Sequence, residues 1–486
     1  MKIKINYLIL VFSIFLISCE KEFLQIPESD LIAGDKALQT TGNCESLLLG
    51  AYATIERSGL ILFNTVLADE VKKSEFYNAG TVHEWLFGAS DVGIRDNYQL
   101  MPNYYAVIDR VNRVLKALPN SAKDNILTSN ATDSLLKTKV KAEALFLRAF
   151  AHFELYRFFS NSSNANDLAM AYMEVPNLIG KFPRLKVSNY FEKLKADITV
   201  AKNSLPTITP TSGDKYRANL TALFGLEARV ALYLKDYQTA KNAATSYIST
   251  LPLSSTATFS SIWTDVANSS GQHIVECAFI IPNIRLGSLF RGQSASATGN
   301  GIGQITWEPA NKLRKSFDSS NDVRYNSFFK YESILANANR PSRIINKYSG
   351  TNYATTNENL ANYKVFRTAE MYLIRAEANA ELGDLAAATV DLNTLRKGRI
   401  KNYVDASFTD KNLLIDAIML ERYKELCYEG NRMFDLKRRN LPVERDDLDL
   451  PAPNTAKTLP AGNFRFLLPI YITEIQANPF IQQNLG

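Results

Sequence analysis

The chain has 486 residues, of which 46% are hydrophobic, 21% charged and 11% aromatic, and its formal net charge is +6. That balance excludes wholesale disorder, and the length suits about three average domains or one large helical structure with insertions. The basic excess is too small and too scattered for a nucleic-acid face; its one cluster, Lys437-Arg438-Arg439, reads as the positive end of a helix.

At the start, Lys2 and Lys4 precede an apolar run from Tyr7 to Ile17, too short to span a bilayer and right for the apolar core of a secretory signal. The run ends Leu16-Ile17-Ser18-Cys19, which resembles the lipobox of bacterial lipoproteins, where cleavage before the cysteine leaves its thiol acylated. A signal peptide over residues 1–18 and a lipidated Cys19 are therefore expected, with more than one acyl chain, as stable anchoring needs. Without Lys2 and Lys4 the formal net charge falls to +4. No later segment approaches 18 unbroken apolar residues, so the body is expected to be soluble and tethered by its N-terminus. Cys44, Cys277 and Cys427 lie far apart, with neither a disulfide framework nor a metal spacing, and read as small buried apolar residues.

A first helix is expected over about Asp35 to Ile55. Residues 142–159, AEALFLRAFAHFELYRFF, are apolar except at Glu143, Arg148, His152, Glu154 and Arg157. A helix apolar on nearly every side must be buried on nearly every side. Its frame, Arg148-Ala149 with Ala151 and Leu155, returns as Arg375-Ala376 with Ala378 and Leu382, and more loosely as Glu227-Ala228 with Val230 and Leu234. The later copies continue alike, Leu234-Lys235-Asp236-Tyr237 with Ala240 against Leu382-Gly383-Asp384-Leu385 with Ala388. A helix, a tight turn at the Asp and a second helix opening with small residues spell a tetratricopeptide-like hairpin. Separations of 79 and 148 residues place large insertions between the copies, and insertions in such arrays lie on one face, often the binding face. A further helix from Val187 to Leu205 stops at Pro206. From Thr250 to about Ala361 periodicity is lost, and Ser, Thr, Asn and Gly mark loops with short strands such as His273 to Pro282.

Several segments resemble the SusD/RagB family of outer-membrane nutrient-binding lipoproteins. The mature start has Cys19, Phe23-Leu24 and Pro27, and the central helix fits the family pattern at Glu143, Ala144, Leu147, Arg148, Ala149, Phe153, Leu155 and Arg157. Asp197-Ile198, Ala201 and Leu205-Pro206 fit a second helix. The most specific match is Glu421, Arg422, Glu425, Leu426, Glu429, Gly430, Arg432, Asp435 and Leu436, and the tail continues with Leu467-Leu468-Pro469-Ile470, Glu474-Ile475 and Asn478-Pro479. The chain departs at the inserted Ser160 to Asp167 and at Tyr471, where a second Pro is usual. The resemblance implies a mainly α fold of tetratricopeptide-like hairpins forming a superhelical scaffold, with a loop-rich insertion carrying short strands. Its parts would be the signal at 1–18, an N-terminal helical region at 19–249, a variable and ligand-facing region at 250–361, and a C-terminal helical region at 362–486. The implied role is a surface lipoprotein that captures oligosaccharides, or in some members peptides, for a TonB-dependent outer-membrane transporter.

Catalytic chemistry is not legible. His83, His152 and His273 are scattered, and His152 reads as a satisfied buried imidazole. Residues 299–303 are Gly-rich but lack the Lys-Ser/Thr of a phosphate loop. Asp69-Glu70 and Asp446-Asp447 would serve glycoside hydrolysis only from opposite sides of a sugar bond, and adjacent acids in loops read as solvated. The signature charges read as structural, with Gly430 as a left-handed helix cap and Arg432 paired with Asp435 across the next turn. No metal, cofactor or catalytic residue is expected. Sugar capture needs flat aromatic faces and polar side chains that reach hydroxyls. Trp85, Trp263 and Trp307, with Tyr77 and Tyr98, fall in the less regular segments and are the candidates for that platform, although each also suits core packing. Peptide capture and a surface glycoside hydrolase on the same scaffold are the alternatives.

Overall fold

In the computed structural model of the chain the described residues are 37–74, 83–98, 100–124, 129–160, 164–177, 179–206, 215–263, 276–282, 285–291, 305–331, 343–350, 358–450 and 456–484. Cys19, Tyr77 and His273 lie outside them. The N-terminal part consists of α1 (Thr41–Thr54), α2 (Ser58–Val66), β1 (Val71–Lys73), α3 (Val92–Tyr98), α4 (Met101–Ala117), α5 (Asn130–Phe159) and α6 (Val187–Lys202), followed by α7 (Leu220–Tyr233) and α8 (Tyr237–Thr250). The middle holds β2 (Cys277–Ile281), β3 (Trp307–Pro309), α9 (Asn311–Lys315), α10 (Val323–Phe328), β4 (Phe329–Tyr331) and β5 (Arg343–Ile345). After β6 (Tyr363–Arg367) come α11 (Thr368–Glu381), α12 (Leu385–Lys397), α13 (Lys411–Glu425), α14 (Arg432–Arg438), β7 (Val443–Glu444), β8 (Thr458–Leu459) and α15 (Ile472–Ala477). The strands pair antiparallel in twos, β1 with β3, β2 with β6, β4 with β5 and β7 with β8.

Helix α5 is the centre of the packing. Every residue from Ala142 to Phe159 is buried, as its all-round apolar sequence requires. It packs against α4 and α6. Phe158 sits 5.0 Å from both Phe63 and Phe434, joining the first and last parts of the chain, while Phe146 and Phe150 meet Phe279 and Phe366 of the β2–β6 pair. His152 is satisfied as expected: Nδ1 lies 3.1 Å from the Tyr190 hydroxyl, Nε2 accepts from the Met173 amide at 3.2 Å, and the ring stacks on Tyr172.

The hairpin reading holds in its particulars. Lys235 and Gly383 occupy the same turn position and both are left-handed, at φ +58° and +90°; Asp236 and Asp384 then cap the second helices by accepting from the Thr239 and Ala387 amides at 3.2 and 3.0 Å. Ala376 is fully buried beside Leu373, Leu392 and Ile418. The Arg frame also recurs as chemistry. Arg148 grips Asp197 of α6 with Nε and Nη2 at 2.7 and 2.6 Å, and Arg375 grips Asp391 of α12 at 3.0 and 2.7 Å.

Other expectations shift. The first helix begins at Thr41, where the Thr40 side chain accepts from the Asn43 amide, and the helix expected to reach Leu205 ends at Lys202. Asp69 and Glu70 are buried, each 1% exposed, whereas Asp446 and Asp447 are solvated as read. Gly430 is left-handed at φ +79°, but Arg432 does not pair with Asp435. A buried Asp69 takes Arg432 in a bidentate pair at 2.7 and 2.9 Å, and Asp435 is held by Arg422 and Arg438 at 2.9 and 2.8 Å. The basic cluster does close α14, as read, and is also committed to tertiary partners: Arg438 bonds Glu377, Arg439 bonds Glu381, and Lys437 donates to the Arg157 and Ser160 carbonyls.

Candidate functional site

Glu421, Glu425 and Glu429 stand four apart along and just after α13 and face cations from the middle of the chain. Arg324 of α10 reaches Glu425 at 3.0 Å and Glu421 at 2.6 Å while clamping Asp322 with Nε and Nη2 at 2.9 and 2.7 Å. Arg367 holds Glu429 at 2.8 and 2.7 Å and Glu425 at 2.9 Å. Arg399 bridges Glu425 and Glu276 at 3.0 and 2.7 Å, and Lys347 donates to Glu429 at 2.6 Å and to the Cys427 carbonyl at 2.7 Å. All of these charges are buried, a loss of solvation that only complete pairing offsets. Burial opposes their ionisation, yet the guanidiniums win: Arg399, Arg367 and Arg324 hold Glu425 well below the usual carboxylate range, and Arg324, Lys424 and Arg396 hold Glu421 at about 2.

This ionic frame shapes a cleft of about 570 Å³, within the range of small-ligand sites. Three of the buried cations lie next to lining residues: Arg324 beside Val323, Lys347 beside Asn346, and Arg399 two residues before Lys401. The lining is rich in hydroxyls and amides. Asn321 donates to Asp318 at 2.8 Å and Ser327 to the Val323 carbonyl at 3.0 Å, whereas the side chains of Ser260, Asn326 and Lys401 make no hydrogen bond among the described residues. Trp263 forms one wall, 3% exposed, and its Nε1 is buried without a partner among the described residues.

Burial engages the described members of the aromatic platform expected from sequence, Trp85, Trp263, Trp307 and Tyr98, within the protein. Trp263 has Lys347 Nζ 4.4 Å from its ring centroid, Arg367 at 5.3 Å, and Phe259, Phe328 and Tyr348 edge-on around it. Its ring is thus engaged by protein and only the indole N–H is left over. Trp85 donates its N–H to the Leu67 carbonyl at 2.8 Å under the Arg445 guanidinium. Trp307, 1% exposed, lies beside His83, and Tyr98 is fully buried against Phe63. Irregular backbone here does not mean surface: large rings fill the space between short strands that cannot bury a core themselves. The structure brings none of Trp85, Trp307 and Tyr98 to the Trp263 cleft, and the lining residues Ser260, Asn326 and Asn346 carried no sequence signal, since single polar residues in a Ser/Asn-rich stretch have no period.

Among the described residues no group of three or more His, Cys, Asp or Glu is placed to hold a metal. Cys44, Cys277 and Cys427 pack as apolar residues, and burial pushes the Cys277 thiol up to about 12.

Comparison with known families and structures falls on the same elements. A model described as "SusD family" matches residues 301–486, including the α13–α14 signature and all of its ionic frame but Glu276, and one described as "Starch-binding associating with outer membrane" matches residues 35–232. The chain belongs to the SusD/RagB family. SusD-like protein P38 of Formosa agariphila is 26% identical, aligned over 99% of this chain and 98% of its own. Among solved structures, a SusD superfamily protein from Bacteroides thetaiotaomicron superposes with a TM-score of 0.77 at 22% identity, over 92% of this chain and 100% of that one. Surface glycan-binding protein A from Bacteroides fluxus gives 0.70 at 20% identity, over 92% and 99%. Within this SusD/RagB chain the signature glutamates hold the irregular middle in place.

Proposed function

We propose that this protein is a surface lipoprotein that binds oligosaccharides without turning them over and passes them to a TonB-dependent outer-membrane transporter. The Trp263 cleft supplies one glycan contact site, and Cys19, left at the N-terminus once residues 1–18 are removed, supplies the anchor. The family descriptions and the glycan-binding neighbours support the ligand class. The observation that carries the site is the cleft itself: hydroxyl, amide and ammonium groups with no partner among the described residues suit the hydroxyls of a sugar.

Calorimetry with a panel of oligosaccharides tests the reading. Asn326→Ala and Ser260→Ala are expected to lower affinity, each by about 0.5–1.5 kcal/mol, with unchanged melting. Affinity equal to the parent in both variants would move the site elsewhere, and release of shorter sugars would overturn binding without turnover. The anchor is tested separately. Cys19→Ala is expected to leave the protein folded but soluble, and its continued sedimentation with the outer membrane would exclude lipidation there.

A further inference from the structure

A second cleft, of about 400 Å³, lies between α4, the connection at 171–182 and α15, and shares no residue with the Trp263 cleft. Its floor is apolar, built from Tyr105, Ile108, Met173 and Ile481. The polar groups around it are mostly consumed internally. Tyr105 donates to the Ala171 carbonyl at 3.0 Å, Asn112 to the Met173 carbonyl at 2.9 Å and Asn478 to the Phe182 carbonyl at 2.9 Å, while Asp109 accepts from Arg113 at 2.7 Å.

Glu474 is the exception. Its carboxylate is half-buried and has no hydrogen-bond or ion-pair partner among the described residues, and burial raises its pKa with no opposing charge. Lys181, at the same rim, is exposed and does not bond it. The rim also shows Ile179 and Val175, at 92% and 57% exposure, and Phe480 at 59% next to Ile481. A desolvated carboxylate above an apolar floor lacks two things, a cation and an apolar body to cover the floor. One side chain type supplies both, because arginine and lysine carry a charged head on an aliphatic stem.

We propose that this cleft docks a segment of a partner protein that presents an arginine or lysine next to an apolar residue. The cationic head bonds Glu474, the stem lies along Tyr105 and Ile108, and the apolar neighbour covers Ile179. This site is independent of the glycan reading and stands or falls alone.

The test uses the full mature chain and two capped probes, acetyl-Leu-Arg-Leu-amide and acetyl-Leu-Gln-Leu-amide, titrated calorimetrically. The arginine probe is expected to bind saturably and the glutamine probe about tenfold more weakly, the loss of one charge-assisted bond. Glu474→Gln should abolish that difference, and Ala477→Arg, which places a cation in the cleft, should abolish binding of both; each variant should keep the parent's melting temperature and glycan affinity. Equal affinity for the two probes, no binding of either, or a preference for arginine that survives Glu474→Gln would overturn the proposal, whereas loss of glycan binding by the parent would bear only on the other site.

Discussion

Trp263 shows how single residues behave in this chain. It lines the cleft, but as a wall post: three aromatic edges and the cations Lys347, Lys364 and Arg367 surround it. Trp263→Ala is therefore expected to cost about 3–5 kcal/mol of stability, read by denaturant unfolding, before any loss of affinity is interpretable. The adjacent acids Asp69 and Glu70 split in the opposite sense. Asp69 is held at about 2 by Arg432 and Lys312 against the pull of burial, while burial pushes Glu70 up to about 8, its main compensation being the Tyr428 amide at 3.0 Å. Because the folded pKa of Glu70 lies above the ordinary 4.5, the native state binds the proton more tightly than the unfolded chain. Its contribution is complete below about 4.5 and declines as pH rises to about 8. Glu70→Gln should flatten the fall in melting temperature over that window. Asp69 and Glu421 act the other way, with stability present at neutral pH and lost on acidification towards about 2. A parent whose melting temperature does not fall between about pH 5 and 8 would exclude the Glu70 effect.

Among the elements, the two tight hairpins are informative because they solve one turn with different residues. The position between the helices is left-handed in both, and Gly383 adopts that conformation without a Cβ clash, whereas Lys235 does so at a cost. Lys235→Gly is expected to stabilise the α7–α8 hairpin by about 0.5–1 kcal/mol, measured by chemical denaturation; destabilisation would show that the Lys235 side chain contributes more than its backbone costs. The α5–α6 pair reaches the same Arg–Asp clamp through a long connection, residues 160–186, in place of the tight turn. The clamp, not the turn, is what the frame at Arg148 and Arg375 has in common.

Across the whole molecule, Glu425 is the point where the helical scaffold holds the irregular middle. It receives Arg324, Arg367 and Arg399 at once. Glu425→Ala leaves three buried guanidiniums short of a partner and is expected to cost about 3–5 kcal/mol, with the cleft losing glycan affinity along with its frame. Thermal melts beside calorimetry check both; a stable variant with intact binding would show that the frame is dispensable. The sequence by itself determined the central helix α5, helix α6 and the two tight hairpins, because apolar period, capping Asp and turn residue are local, and it marked the signature Glu421, Glu425, Glu429 and Gly430 as structural. Only the tertiary structure decided which partner each charge took and which aromatics face solvent. Arg324 meets Glu425 across 101 residues and Arg432 meets Asp69 across 363, separations over which spacing carries no information. A tryptophan in a loop and one in a core read alike until the elements around it have packed.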